Sequence, residues 1–128
     1  MGKLEKYLAK SNETGQRRTE TVLIHDEEWE VRELTFLQNR QCYRLAEEAD
    51  GRFDFFRYND ARIVKATEHA FPWHHSELLK AYKAKDKFEM PARLFNDDPQ
   101  GYNLLLEAVN RVNSEVQTED QVVEELKN

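Results

Sequence analysis

A chain of 128 residues with 39% hydrophobic and 11% aromatic content carries enough apolar surface for one modest core, and a single domain is the expectation. With 34% charged residues and a net charge of −6, general affinity for nucleic acid or anionic lipid is disfavoured and protein partners are favoured. No apolar run exceeds three residues, as in Val22 to Ile24, which excludes a transmembrane helix and a secretory signal, and the expected location is the cytoplasm. The lone Cys42 rules out an internal disulfide or a cysteine-rich zinc site and fits a reducing compartment.

Residues 1–18 read as a loose amino-terminal helix and a flexible segment: Leu4, Tyr7 and Leu8 have helical spacing, which Ser11 to Gly15 interrupts. Residues 19–34 read as a β-hairpin. Thr21, Val22 and Ile24 are β-branched, Trp29 to Arg32 alternates apolar with polar, and the turn is expected at Asp26 to Glu28. A lone hairpin is marginal in water, so helices must cover its apolar face, and the fold class is α+β, mostly helical, with one amino-terminal hairpin packed against about five helices.

The first of these, over about 35–50, begins at the capping box Thr35/Gln38, buries Cys42, Leu45, Ala46 and Ala49 on one face, and ends at Gly51. Phe53, Phe55, Phe56 and Tyr58 form an aromatic cluster leading into a helix over 54–70, whose inward stripe runs Phe56, Asp60, Ile63, Val64, Thr67. Asp60 interrupts that stripe and reads as a helix-start or stripe-edge residue. Pro72 stops the helix, Ser76 is expected to cap the next one over 76–84, and Leu78, Leu79 and Tyr82 give that helix its inner face. A short helix over 91–96 starts at Pro91. The last, over 98–113, has Asp97 with Gln100 as its expected cap, Leu105, Ala108, Val109 and Val112 as its stripe, and a Glu107–Arg111 pair outside. Residues 114–128 form an acidic tail with five carboxylates and one lysine. Thr118 and Gln121 would cap a short helix bearing Val122, Val123 and Leu126, too short to persist alone.

The candidate chemistry is thin. His69, His74 and His75 lie close together beside Glu68 and Glu77, but without the two histidines four apart that a zinc helix requires, and His69 shares a face with Arg62 and Lys65 that suggests solvent. No metal and no cofactor are therefore expected. Ser11, Ser76 and Ser114 occupy loops or helix starts, Cys42 sits on an apolar stripe, and no two glycines adjoin to cradle phosphate, so no catalytic residue is assigned. The lysines from Lys80 to Lys87 read as a solvated face, on which the acidic tail would dock until a partner displaces it.

Three pieces occur in an informative order. They are Trp29-Glu30-Val31-Arg32-Glu33-Leu34-Thr35; Ile63-Val64-Lys65-Ala66-Thr67 followed past a proline break by Ser76-Glu77-Leu78-Leu79-Lys80-Ala81-Tyr82; and Ala92 to Val112 with Leu105-Leu106-Glu107-Ala108-Val109. This order resembles the tail assembly chaperones of long-tailed phages and prophages, the XkdN-like group of Gram-positive hosts in particular, over residues 20 to 113. The chain departs at Phe71-Pro72-Trp73-His74-His75, where the family has an acidic, asparagine-rich turn, and it lacks a glycine after Tyr82. The resemblance implies a non-enzymatic protein of the host bacterial cytoplasm that shields the helical tape measure protein, with the tail tube protein and self-association as further partners. It also raises a second product made by frameshifting near Leu126-Lys127-Asn128. Contact residues expected on this reading are Phe71, Trp73, Leu78 and Tyr82, with ordinary core as their alternative, and Val122, Val123 and Leu126. A structural tail or connector protein and a small acidic regulatory protein are the alternative functions.

Overall fold

The computed structural model describes residues 2–13 and 15–114. Its elements are α1 (Lys3–Lys10), β1 (Thr19–Ile24), β2 (Glu27–Arg32), α2 (Phe36–Ala46), α3 (Phe55–Thr67), α4 (Ser76–Ala81), a 3-10 turn (Lys87–Glu89), α5 (Met90–Leu94) and α6 (Pro99–Asn113). The expected α+β architecture is present: a two-stranded antiparallel hairpin laid on a helical layer.

The hairpin turn falls at His25-Asp26, one residue earlier than the sequence suggests, because both residues take positive φ (51° and 66°). That geometry is the two-residue turn whose twist matches the strands it joins, and Asp and His tolerate it better than most residues. Register follows: Glu20 faces Val31, Val22 faces Trp29 and Ile24 faces Glu27. The period of two then sends Val22, Ile24, Trp29 and Val31 to one side, against α3 and α6.

Helix ends depart from expectation for local reasons. The Thr35/Gln38 capping box is formed, but α2 stops at Ala46, where Glu47 turns extended to bridge Phe53, and Gly51 (φ 87°) serves the following turn. α3 stops at Thr67, since Ala70 and Phe71 both donate back to the Thr67 carbonyl (2.9 Å each) and turn the chain inward. Ser76 is not the cap of α4; the His75 ring accepts from Glu77 N–H at 3.2 Å. α6 is capped by Asp98 rather than Asp97, accepting from Gly101 N–H at 3.0 Å, because Pro99 takes the first helical position and keeps the residue before it out of helical geometry. A Cβ at Gly101 would run into that Asp98 carboxylate. Arg111 leaves Glu107 and pairs with Glu20 of β1 at 2.8 Å.

Trp73 is the centre of the core, 0% exposed, with its ring 5.7 Å from Trp29 and 4.6 Å from Phe71. Its indole N–H donates to Thr67 Oγ at 2.7 Å, and that hydroxyl donates to the Ile63 carbonyl at 2.6 Å. Around them close Ile63, Val64, Met90, Phe95, Leu105 and Val109. Trp73→Ala should cost about 3–5 kcal/mol, a large share of a small domain's stability, and Thr67→Val about 1–3 kcal/mol by orphaning the indole N–H. Urea melts followed by far-ultraviolet circular dichroism measure both; midpoints unchanged in Trp73→Ala would remove this residue from the core.

The end of α4 carries a strained residue. Lys83 sits at φ 56°, donating its N–H to the Lys80 carbonyl (3.2 Å) while Ala84 donates to Leu79 (2.9 Å), the paired bonds of a glycine-type helix stop. Lys83→Gly is expected to raise stability by about 1 kcal/mol through relief of the left-handed strain, read as a higher urea midpoint; a lower midpoint would show that the lysine side chain contributes more than its backbone costs.

Candidate functional site

The residues expected to contact a partner are divided by the fold. Trp73 is buried and therefore unavailable; the aromatic side chain that looked like an anchor is needed inside, where its N–H finds Thr67. Phe71 is half-buried, with ring centroids 4.9 Å from Trp29 and 4.6 Å from Trp73, and Leu78 is half-buried against the same core. Tyr82, 38% exposed, is the one of the four that offers a surface. Val122, Val123 and Leu126 lie outside the described residues, as do the acidic tail and the frameshift position, whereas the lysines at 80–87 on which the tail is expected to dock are described.

A larger apolar surface lies on the α2–α3 layer. Phe36 is 76% exposed, Phe55 65% and Phe56 81%, and Leu37 and Tyr43 are also exposed. Tyr43 and Phe55 are held by aromatic neighbours. Tyr43 stacks on Phe53 at 4.5 Å, Phe53 meets Phe55 at 5.1 Å and Tyr58 at 5.5 Å, and the Tyr58 hydroxyl donates to Asn39 at 2.8 Å. The sequence displays these aromatics as a cluster, but Phe56 does not belong to the inward stripe of α3. Phe55 and Phe56 open that helix about 100° apart around its axis, and neither is buried.

Arginines frame this surface. Arg57 Nε donates to the Leu45 carbonyl at 2.7 Å and so ties α3 to α2, Arg62 donates to Asn110 at 2.9 Å and lies 5.3 Å from the Tyr58 ring centre, and Arg40 lies 5.6 Å from that of Phe36. Among the described residues none of Arg40, Arg44, Arg57 and Arg62 is paired with a carboxylate, and Arg62 Nε is buried with no hydrogen-bond partner.

Phe56 also borders an open groove of about 670 Å³ between the start of α3 and the α4–α5 segment, which Arg57, Asp60, Tyr82, Lys83 and Arg93 help to line. Asp60 accepts a short hydrogen bond (2.5 Å) from the Tyr102 hydroxyl and thereby joins α3 to α6. The remaining reactive groups have structural partners. Burial pushes the Cys42 thiol up to about 11, which makes it a poor nucleophile at neutral pH. His25 binds Asp98 at 2.7 Å, and His69, expected in solvent, binds Glu30 at 3.0 Å. Lys87 pairs with Glu68 at 2.9 Å. No group of three metal-ligating side chains comes together among the described residues, and none of their helices is long and apolar enough to cross a membrane. What the surface offers is rigid aromatic contact framed by cations, suited to binding.

Burial raises the Asp60 pKa above its ordinary 3.8 and the Asp54 charge adds to this, while the Tyr102 hydrogen bond and Arg57 oppose. The folded chain therefore keeps a proton that the unfolded chain has released, and Asp60 lowers stability as pH rises from about 3.8 through the folded pKa, after which its effect is constant. Asp60→Asn keeps an acceptor for Tyr102 and should erase this decline, so its stability relative to wild type grows with pH across the acid range and then levels. Urea midpoints between pH 3 and 7 test this; a difference independent of pH would mean that Asp60 titrates alike in both states.

Comparison with known proteins supports the fold. No family model and no curated protein matches the sequence. The chain is similar to a solved structure described as the crystal structure of the protein YqbN, a structural genomics target, with a TM-score of 0.60 and 17% identity over 79% of this chain and 88% of that one.

Proposed function

We propose that this protein is a non-enzymatic tail assembly chaperone, which binds the helical tape measure protein of a long-tailed phage or prophage in the host bacterial cytoplasm and shields it until assembly. The observation that carries this reading is the rigid, exposed aromatic surface on α2–α3. Surfaces of this kind are uncommon on proteins that have no partner to cover them. A long helix with an apolar stripe is a suitable occupant: successive turns present side chains at i, i+3, i+4 and i+7 to a ridge of aromatic anchors. The unpaired arginines favour a partner with carboxylates beside its stripe, which explains how a chain of net charge −6 attracts an acidic helix. The resemblance of Trp29 to Thr35 and of Ser76 to Tyr82 to the chaperone family supplies the identity of the partner.

Co-expression with the product of the long reading frame next downstream, followed by affinity capture, tests the proposal. The captured protein should be insoluble alone. Phe36→Ala with Tyr43→Ala, and separately Phe55→Ala with Phe56→Ala, should each weaken capture at least about tenfold, as loss of anchors worth about 2 kcal/mol requires. Thermal stability should remain near wild type for Phe55→Ala with Phe56→Ala, since both are mostly in solvent, and fall somewhat for Phe36→Ala with Tyr43→Ala, which removes the Tyr43–Phe53 stack. Capture unaffected by both double variants would sink the assignment of this surface. Retention in purified particles would instead favour a structural tail or connector protein, and capture of an unrelated enzyme a regulatory one.

A further inference from the structure

α1 presents a separate problem. It is an amphipathic helix of eight residues with Leu4, Tyr7 and Leu8 on one face, and none of its residues is buried. A helix of that length is marginal in water unless its apolar face is covered. We infer that residues 115–128 cover it, laying Val122, Val123 and Leu126 on Leu4, Tyr7 and Leu8.

Two observations point to this occupant. The first is charge. α1 carries Lys3, Lys6 and Lys10 against one Glu5, and none of these lysines pairs with a carboxylate among the described residues, whereas residues 115–128 hold Glu115, Glu119, Asp120, Glu124 and Glu125 against Lys127. One amphipathic segment is basic and the other acidic, so the flanks of the two apolar faces attract.

The second is position. The chain coming from α1 is fastened at Arg18, whose guanidinium meets the Glu33 carboxylate at 3.0 Å and whose carbonyl accepts from Glu33 N–H at 2.8 Å. The chain leaving α6 is fastened at Asn113, whose side-chain oxygen accepts from Leu34 N–H at 2.8 Å. Both segments are thus anchored on the consecutive residues Glu33 and Leu34, and the Arg111–Glu20 pair holds the same corner. Residues 11–13 continue α1 as hydrogen-bonded turns, so residues 14–17 on one side and 115–121 on the other separate the anchors from the two segments, a reach of up to about 14 Å and about 24 Å at 3.3–3.6 Å per residue. Two complementary segments on short tethers from one corner meet at high effective concentration. This inference does not depend on the proposed function.

Nuclear magnetic resonance of the isotope-labelled full chain tests it. Residues 3–10 should have helical chemical shifts, and the Tyr7 ring should give Overhauser contacts to methyl groups of Val122, Val123 or Leu126, unchanged on dilution. Lys3→Glu with Lys10→Glu should reduce the helicity of residues 3–10 by roughly half; the effects of the two changes on the helix dipole oppose each other, so the loss would report the lost partner. Adding Glu119→Lys, Glu124→Lys and Glu125→Lys to that variant should restore both helicity and contacts. Helicity that falls on dilution would assign the cover to a second copy. Contacts from residues 122–126 to Lys80–Lys87 or to the α2–α3 aromatics, or helicity without contacts, would overturn the inference.

Discussion

The fold depends on one buried hydrogen bond. An indole is large enough to fill the centre of a small core, but its N–H cannot be left unpaired there without a cost that a domain of this size feels. Thr67 resolves the conflict at the last position of α3, accepting from the Trp73 indole N–H and donating its own O–H to the Ile63 carbonyl. Much of the architecture follows. α3 must end at Thr67 for the chain to turn back under it, and the return is made by consecutive turns in which Trp73 N–H donates to the Phe71 carbonyl and His75 N–H to that of Pro72, 3.0 Å each. The hairpin then has a fixed place to land, because Trp29 packs within 6.0 Å of Phe71, Trp73 and Phe95.

Closing the core on that side leaves the other side of the helical layer open. α2 is held to α3 by Cys42 and Ala46, by the Arg57 bond to the Leu45 carbonyl and by the bridge between Glu47 and Phe53. The residues that α2 itself buries are small, so it packs closely while its large residues, Phe36, Leu37 and Tyr43, face away. Deep burial of small residues with exposure of large ones inverts the usual economy of a helix in a globular protein. The outcome is an outer face of α2 that is apolar and open to solvent.

What was legible in the sequence was what is local. The Thr35/Gln38 box, the Pro91 start and the stripe of Leu105, Ala108, Val109 and Val112 depend on residues within a few positions of one another, and the structure has them. The α+β class was legible because a hairpin pattern and several helical patterns are both plain. Errors arose where the outcome depended on a distant partner or on competition between near neighbours. Asp97 and Asp98 are equally good caps until Pro99 decides between them, and Glu107 looks like the partner of Arg111 until β1 brings Glu20 alongside. Trp73 looked like an anchor because nothing within its own segment shows that Trp29 and Thr67 surround it. Phe36, Phe55 and Phe56 were visible as aromatics, but periodicity alone cannot tell a face turned to the core from one turned to solvent.

The two places where this chain departs from the chaperone pattern are both absorbed by the fold. Phe71-Pro72-Trp73-His74-His75 replaces a polar turn, yet its aromatic residues go into the core and His75 caps α4. Lys83 stands where glycine would be natural, and the backbone still takes the left-handed conformation of a glycine stop. Neither change builds the exposed α2–α3 aromatic surface, which comes from residues 36–58, between the matched segments at 29–35 and 63–67. The segments that carry the resemblance thus lie in the frame of the fold, and the proposed contact surface lies outside them. A partner of the kind proposed would therefore be recognised through residues 36–58, by its own apolar stripe and charges, and not through the segments that carry the resemblance.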